Sequence, residues 1–123
     1  EALTAWRKSL NPGGAIAFSE PCWFTDVPSD TARANWADYP AMTDAAGIRA
    51  RVEAAGYAVV GTRKVSDAAW EAYYTPIDAR IAALRTGADA ALAAVLDEAE
   101  AEAAAWRAGR AEFGYLLLVV RPR

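Results

Sequence analysis

The chain has 123 residues, 54% of them hydrophobic and 24% charged, a balance that suits one small folded domain and excludes a disordered tail or linker. A net charge of −3 and a pI of about 4.9 oppose the basic footprint that phosphate backbones demand, so no nucleic acid is expected as a partner. No apolar run reaches membrane-spanning length, and the single cysteine cannot close an internal disulfide, so no membrane partner and a cytoplasmic location are expected.

The opening segment carries Leu3, Trp6 and Leu10 at spacings of three and four, which predicts an amphipathic helix. It starts at Glu1 inside the helical pattern, without an N-cap, as though cut from something longer. Pro12 stops the helix, and Gly13-Gly14 permits a sharp turn into the uncharged run Ala15 to Phe18, read as a strand covered on both faces. Ligands sit at the carboxyl ends of such strands, so Glu20 and the residues after it are the first place to look for function.

Ser29 then offers an N-cap for a short helix carrying Ala32 and Trp36, closed by Tyr39-Pro40. Thr43 offers another, for a helix through Ile48, Val52 and Ala55 that ends where Gly56 suits a left-handed cap. A valine-rich strand follows over 57–65. Ser66 caps a helix holding Trp70 and Tyr73, expected to bend or restart at Thr75-Pro76 and to continue on Ile77, Ile81 and Leu84 as far as Gly87. From Asp89 to about Ala108 a long alanine-rich helix places Leu92, Val95, Leu96, Ala99, Ala103 and Trp106 on one face, with Gly109 as terminator. The apolar run 115–121 is the last strand.

The turn Leu10-x-Pro12-Gly13-Gly14 before an apolar strand resembles the region around the fifth strand of class I S-adenosylmethionine-dependent methyltransferases. The resemblance continues through Ser19-Glu20-x-x-Trp23-Phe24-Thr25-Asp26, Trp36 with Tyr39-Pro40-x-Met42, Trp70-x-x-Tyr73-Tyr74-x-Pro76, and Phe113-Gly114-Tyr115. In that order the set is similar to a bacterial group of type 11-like enzymes acting on small molecules. It implies an α/β, Rossmann-like fold in which strands near 15–19, 57–65 and 115–121 are the fifth, sixth and seventh, with the last antiparallel and central. It also implies one partial domain over 1–123, the C-terminal half, with lid helices near 29–37 and 66–108.

The family's glycine-rich cofactor loop and its ribose-holding acid have no counterpart here, so S-adenosyl-L-methionine is implied as cofactor without a cofactor-binding residue in this chain. The first strand would then lack a neighbour, which predicts a homo-oligomer, a homodimer in the simplest case, formed through an exposed apolar edge.

Candidate substrate-binding residues are Glu20 and Trp23, where the first strand runs out, and Trp36, Tyr39, Trp70, Tyr73 and Tyr74, in connections where an α/β enzyme builds the lid over its pocket. Glu20 can hold a substrate amine or hydroxyl or take a proton; equally, it can cap a neighbouring helix or pair with Arg33. The aromatic residues can face a cation or simply pack. Cys22 lacks a histidine or a nearby cation to lower its pKa and reads as a spectator thiol. The acids Asp97, Glu98, Glu100 and Glu102 read as a solvated helix face, and no metal site is expected.

The resulting reading is the substrate-capping portion of a small-molecule methyltransferase, inactive without its cofactor-binding half, with no catalytic residue assigned. The competing reading is a non-catalytic binding or assembly module derived from that fold.

Overall fold

The structure, a computed structural model, describes residues 2–123. The described chain divides into two compact units: residues up to Val65 together with Glu112–Arg123, and the intervening Ser66–Ala111.

The first unit begins with α1 (Ala2–Trp6), whose last turn tightens into a 3-10 turn over Arg7–Ser9 before Leu10 becomes extended. The predicted apolar face is split by that tightening: Leu3 and Leu10 pack on the core, while Trp6 stays 47% exposed. Arg7 ties the segment down by donating to the carbonyls of Gly56 (3.2 Å) and Arg123 (3.0 Å) beneath its contact with the ring of Tyr57. Tyr57, fully buried, donates its hydroxyl to the Leu3 carbonyl at 2.7 Å.

Gly13, at φ 75°, turns the chain into β1 (Ile16–Trp23). The other elements of this unit are α2 (Asp30–Asn35), β2 (Thr43–Asp44), α3 (Ala45–Ala54), β3 (Tyr57–Lys64) and β4 (Phe113–Pro122). The sheet order is β2-β1-β4-β3, with β4 antiparallel to both neighbours. The last strand is thus central, as the resemblance implied, and Ser19 lies opposite Leu117.

Two features of β1 differ from expectation. It extends four residues beyond Ser19, and it is not covered on both faces, because Ala17 and Ser19 are exposed while Ile16, Phe18 and Cys22 turn inward. The short uncharged run therefore marks a half-covered strand whose outer side chains are merely small.

The core of this unit consists of Cys22, Ile48, Val52, Tyr57, Leu116, Leu118 and Val120. Ile48 and Val52 are one helical turn apart on α3, which fixes the face that α3 lays on the sheet. Its N-cap is Asp44, which accepts from Gly47 N–H at 2.8 Å, and not Thr43. Thr43 and Asp44 both pair with β1, opposite Cys22 and Trp23, and α3 begins directly after Asp44, so the cap falls one residue later. Gly56 takes the left-handed conformation expected of it, at φ 82°.

In the second unit, α4 (Asp67–Arg85) and α5 (Ala90–Gly109) run antiparallel. Arg85 meets Asp97 and Glu100 near their connection, and Asp67 meets Arg110 at the far end. Ser66 and Asp89 cap the two helices.

α4 does not restart at Pro76 but runs through it. The missing backbone bond is spanned from outside: Arg107 on α5 donates to Glu71 (3.0 and 2.7 Å) and to Asp78 (2.8 Å), which lie on either side of the proline. Of the predicted α5 face, Leu96, Ala103 and Trp106 are buried, while Val95 is 59% exposed.

Candidate functional site

Glu20 and Pro21 lie where β1 approaches its carboxyl end, and the way β1 hydrogen-bonds decides what its free edge offers. Phe24 N–H donates to the Glu112 carbonyl across the β1–β4 pair, so by the two-residue period Cys22, Glu20 and Phe18 direct their amides to β4. Ala17, Ser19 and Pro21 face the opposite edge, where β2 pairs only beside Cys22 and Trp23. Pro21 has no N–H to offer there, as suits a strand edge.

Glu20 accepts a hydrogen bond from the Tyr39 hydroxyl at 3.3 Å. The negative charge of Glu20 is the main cause holding the Tyr39 hydroxyl above its ordinary pKa, followed by desolvation. Glu20 does not pair with Arg33, whose Nε donates to the Pro28 carbonyl at 3.1 Å. Nor does it cap a helix: the caps of α2 and α3 are Ser29 and Asp44.

A cavity of about 270 Å³ opens beside Glu20, walled by Leu3, Trp6, Phe18, Ile48 and Val52, with Tyr39 and Arg51 at its polar end. Arg51 is engaged in a 2.7 Å bond to the Ala41 carbonyl, which pins the segment between α2 and β2 against α3.

Trp36 follows α2 and meets Tyr39, Phe113 and Tyr115 edge to face, with ring centroids 6.4, 5.7 and 6.3 Å apart. Its Nε1 is buried and has no acceptor among the described residues. Trp23 packs edge-on against Phe113 at 6.3 Å. Four of the seven candidates, Glu20, Trp23, Trp36 and Tyr39, therefore cluster at one end of the first unit.

Trp70, Tyr73 and Tyr74 belong to the second unit. Trp70 and Tyr74 stack with each other and with Trp106, at centroid distances between 5.2 and 5.8 Å. Tyr74 is buried and donates to Glu102 at 3.1 Å, whereas Tyr73 is 58% exposed. Glu102 thus serves Tyr74, and Asp97 and Glu100 serve Arg85.

Cys22 is fully buried, and burial first, then the charge of Asp44, pushes its thiol up to about 11. It sits in the core as a small hydrophobe. Sequence reasoning missed Trp6, Phe18 and Arg51. The helical spacing assigned Trp6 to a packing face, and only the assembled fold makes it a cavity wall.

No protein-family model and no curated protein matches the chain. Solved structures do. Over 95% of its length it is similar to a SAM-dependent methyltransferase from Geobacter sulfurreducens, solved in complex with S-adenosyl-L-homocysteine, with a TM-score of 0.70 and 20% identity, covering 49% of that chain. Over 99% it is similar to a SAM-dependent methyltransferase from Thiobacillus denitrificans in complex with the same molecule, with a TM-score of 0.74 and 19% identity, covering 51% of that chain. The third is YjhP from E. coli, with a TM-score of 0.68 and 20% identity, matched over 95% of this chain and 53% of that one. The chain spans about half the length of each. With β4 antiparallel at the centre of its mixed sheet, it carries a class I methyltransferase-like, Rossmann-like α/β fold.

Proposed function

We propose that this chain is the carboxyl-terminal, substrate-capping portion of an S-adenosylmethionine-dependent methyltransferase acting on a small molecule. The observation that carries the reading is Glu20, in the second half of β1 beside a cavity with apolar walls, in a methyltransferase-like sheet. The chain supplies the acceptor side: walls that exclude water, and a carboxylate and a phenol that orient what enters. Trp23 and Trp36 line the same end of the unit, and Trp70, Tyr73 and Tyr74 form the capping helices' own aromatic cluster.

S-adenosyl-L-methionine is the methyl donor by resemblance to structures solved with S-adenosyl-L-homocysteine. The residues of this chain do not fit the donor on their own. No described strand-to-helix connection contains a glycine: residues 24–29 and 65–66 have none, and β2 passes directly into α3. Gly13 and Gly14 precede a strand, so no helix N-terminus follows them. The donor is therefore held by residues outside this sequence, the 123-residue chain is inactive alone, and 1–123 acts as one partial domain. The free edge of β1 is the surface through which it joins further strands or a second copy, in the cytoplasm.

Calorimetric titration of the 123-residue chain with S-adenosyl-L-homocysteine tests the reading. The expected result is no micromolar binding, with binding gained when a donor-binding half is supplied in the same polypeptide. Micromolar binding by this chain alone overturns it.

A further inference from the structure

Glu20 is a partly buried carboxylate that makes no ion pair among the described residues. Its protein hydrogen bond is the 3.3 Å contact from a neutral phenol, long for an O–H donor to a carboxylate. Arg33 donates to the Pro28 carbonyl, and Arg51, which lines the same cavity and keeps its charge, donates to the Ala41 carbonyl and makes no ion pair or hydrogen bond with Glu20. A carboxylate with lone pairs left open gains charge-assisted hydrogen bonds when a cation arrives with donors. The space Glu20 faces is not suited to a metal ion, because no group of three ligating acids, cysteines or histidines occurs among the described residues. It suits an organic body instead, since the cavity walls are Leu3, Trp6, Phe18, Ile48 and Val52.

From this geometry we infer that the cavity beside β1 binds a small organic ammonium ion. Its charged nitrogen sits on Glu20 and its apolar body lies between Trp6, Phe18 and Val52. The inference deepens the acceptor-side reading by naming the substrate class, a primary or secondary amine, and rests on that reading only for the ligand's being the acceptor. Binding itself needs neither donor nor turnover. Tyr39 brings no countercharge to Glu20, so the preference for a cation rests on that one carboxylate.

The test titrates the 123-residue chain, without donor, with three probes of one shape: 2-phenylethylammonium chloride, 2-phenylethanol and 3-phenylpropionate. The ammonium is expected to bind at least about tenfold more tightly than the alcohol, as a charge-assisted hydrogen bond requires, with the carboxylate weakest. Glu20→Gln erases the preference without moving the far-UV circular dichroism. Trp6→Ala, at a half-exposed wall, weakens all three probes alike. Equal affinity for the three probes in the parent chain overturns the inference, as does a preference that survives Glu20→Gln. Neither result touches the donor titration, so failure here is distinguishable from failure of the methyltransferase reading.

Discussion

The carboxylate of Glu112 grips Ser29 twice, accepting from its backbone N–H at 2.7 Å and from its hydroxyl at 2.9 Å. Ser29 is also the N-cap of α2, its oxygen accepting from Ala32 N–H at 3.2 Å. One acid at the entry to β4 therefore holds the start of the helix that presents Trp36. Glu112→Ala is expected to cost about 1–2 kcal/mol in chemical denaturation, the worth of two charge-assisted bonds partly open to water. It should also raise the mobility of the Trp36 indole, read by fluorescence anisotropy; an unchanged midpoint and anisotropy would refute the role.

Arg107 bridges the proline-bearing helix on either side of Pro76. Its guanidinium hydrogen bonds pull the Glu71 carboxyl below its ordinary pKa of 4.5. A carboxyl depressed in the folded state adds stability above its unfolded pKa and loses it as pH falls through the folded value. The thermal midpoint should therefore fall below about pH 4.5, the unfolded value. More than a third of each side chain remains in water, so the effect is small. Arg107→Met should flatten that acid slope and speed amide exchange around Pro76; exchange confined to the helix ends would show that α4 needs no clamp.

Gly47 leaves room for Thr43. A Cβ at position 47 would run into the Thr43 side chain, with Cγ2 2.8 Å away. Gly47→Ala should therefore destabilise by about 1–3 kcal/mol, as overpacking does, although alanine is the better helix former. Thr43→Ala in the same chain should restore most of the loss. A double variant no better than the single one would place the strain elsewhere.

Cys22 should resist alkylation. With its thiol fully buried and pushed up from 9.0 to about 11, iodoacetamide at pH 8 should label the native chain far more slowly than the unfolded one. A thiol whose pKa rises on folding favours the native state least at high pH, so its contribution holds below about 9 and is lost as pH climbs towards 11. Cys22→Ala should remove that part of the alkaline slope. Native labelling as fast as unfolded would mean that the core opens locally.

On the proposed reading, Tyr73→Ala in a chain joined to a donor-binding half should weaken acceptor binding more than donor binding, because Tyr73 is exposed and its loss leaves the aromatic stack intact. Trp70→Ala removes one stacking partner of both Tyr74 and Trp106 and should lower the melting temperature as well. Equal losses for both ligands in Tyr73→Ala would point to general collapse of the helical pair.

Legibility in the sequence followed the range of the interaction. Ser29, Ser66 and Gly56 announce helix ends through their own side chains or backbone freedom, and the structure uses all three in that way. The N-cap of α3 slipped by one residue because Thr43 and Asp44 are both capable caps, and the choice is made in the fold, where Asp44 accepts from Gly47 N–H while the Thr43 side chain packs against Gly47. β2 has two residues and no local signal. The continuity of α4 depends on a guanidinium from the next helix, which no local rule about proline contains. At the candidate site, Glu20 was marked by its place after a strand, whereas its contact with Tyr39 and the wall formed by Trp6 are products of the assembled edge.

Because β4 is both the last strand along the chain and the middle one in space, neither β1 nor β3 has a long antiparallel partner until it arrives. On the ribosome, Ile16 waits for Val120 and Val59 for the same residue, so the nascent sheet cannot close before translation of this segment is nearly finished. Closure of this part of the sheet waits for the segment from Phe113 on, and a ribosome stalled before it holds β1 and β3 without their shared partner for a chaperone to shield.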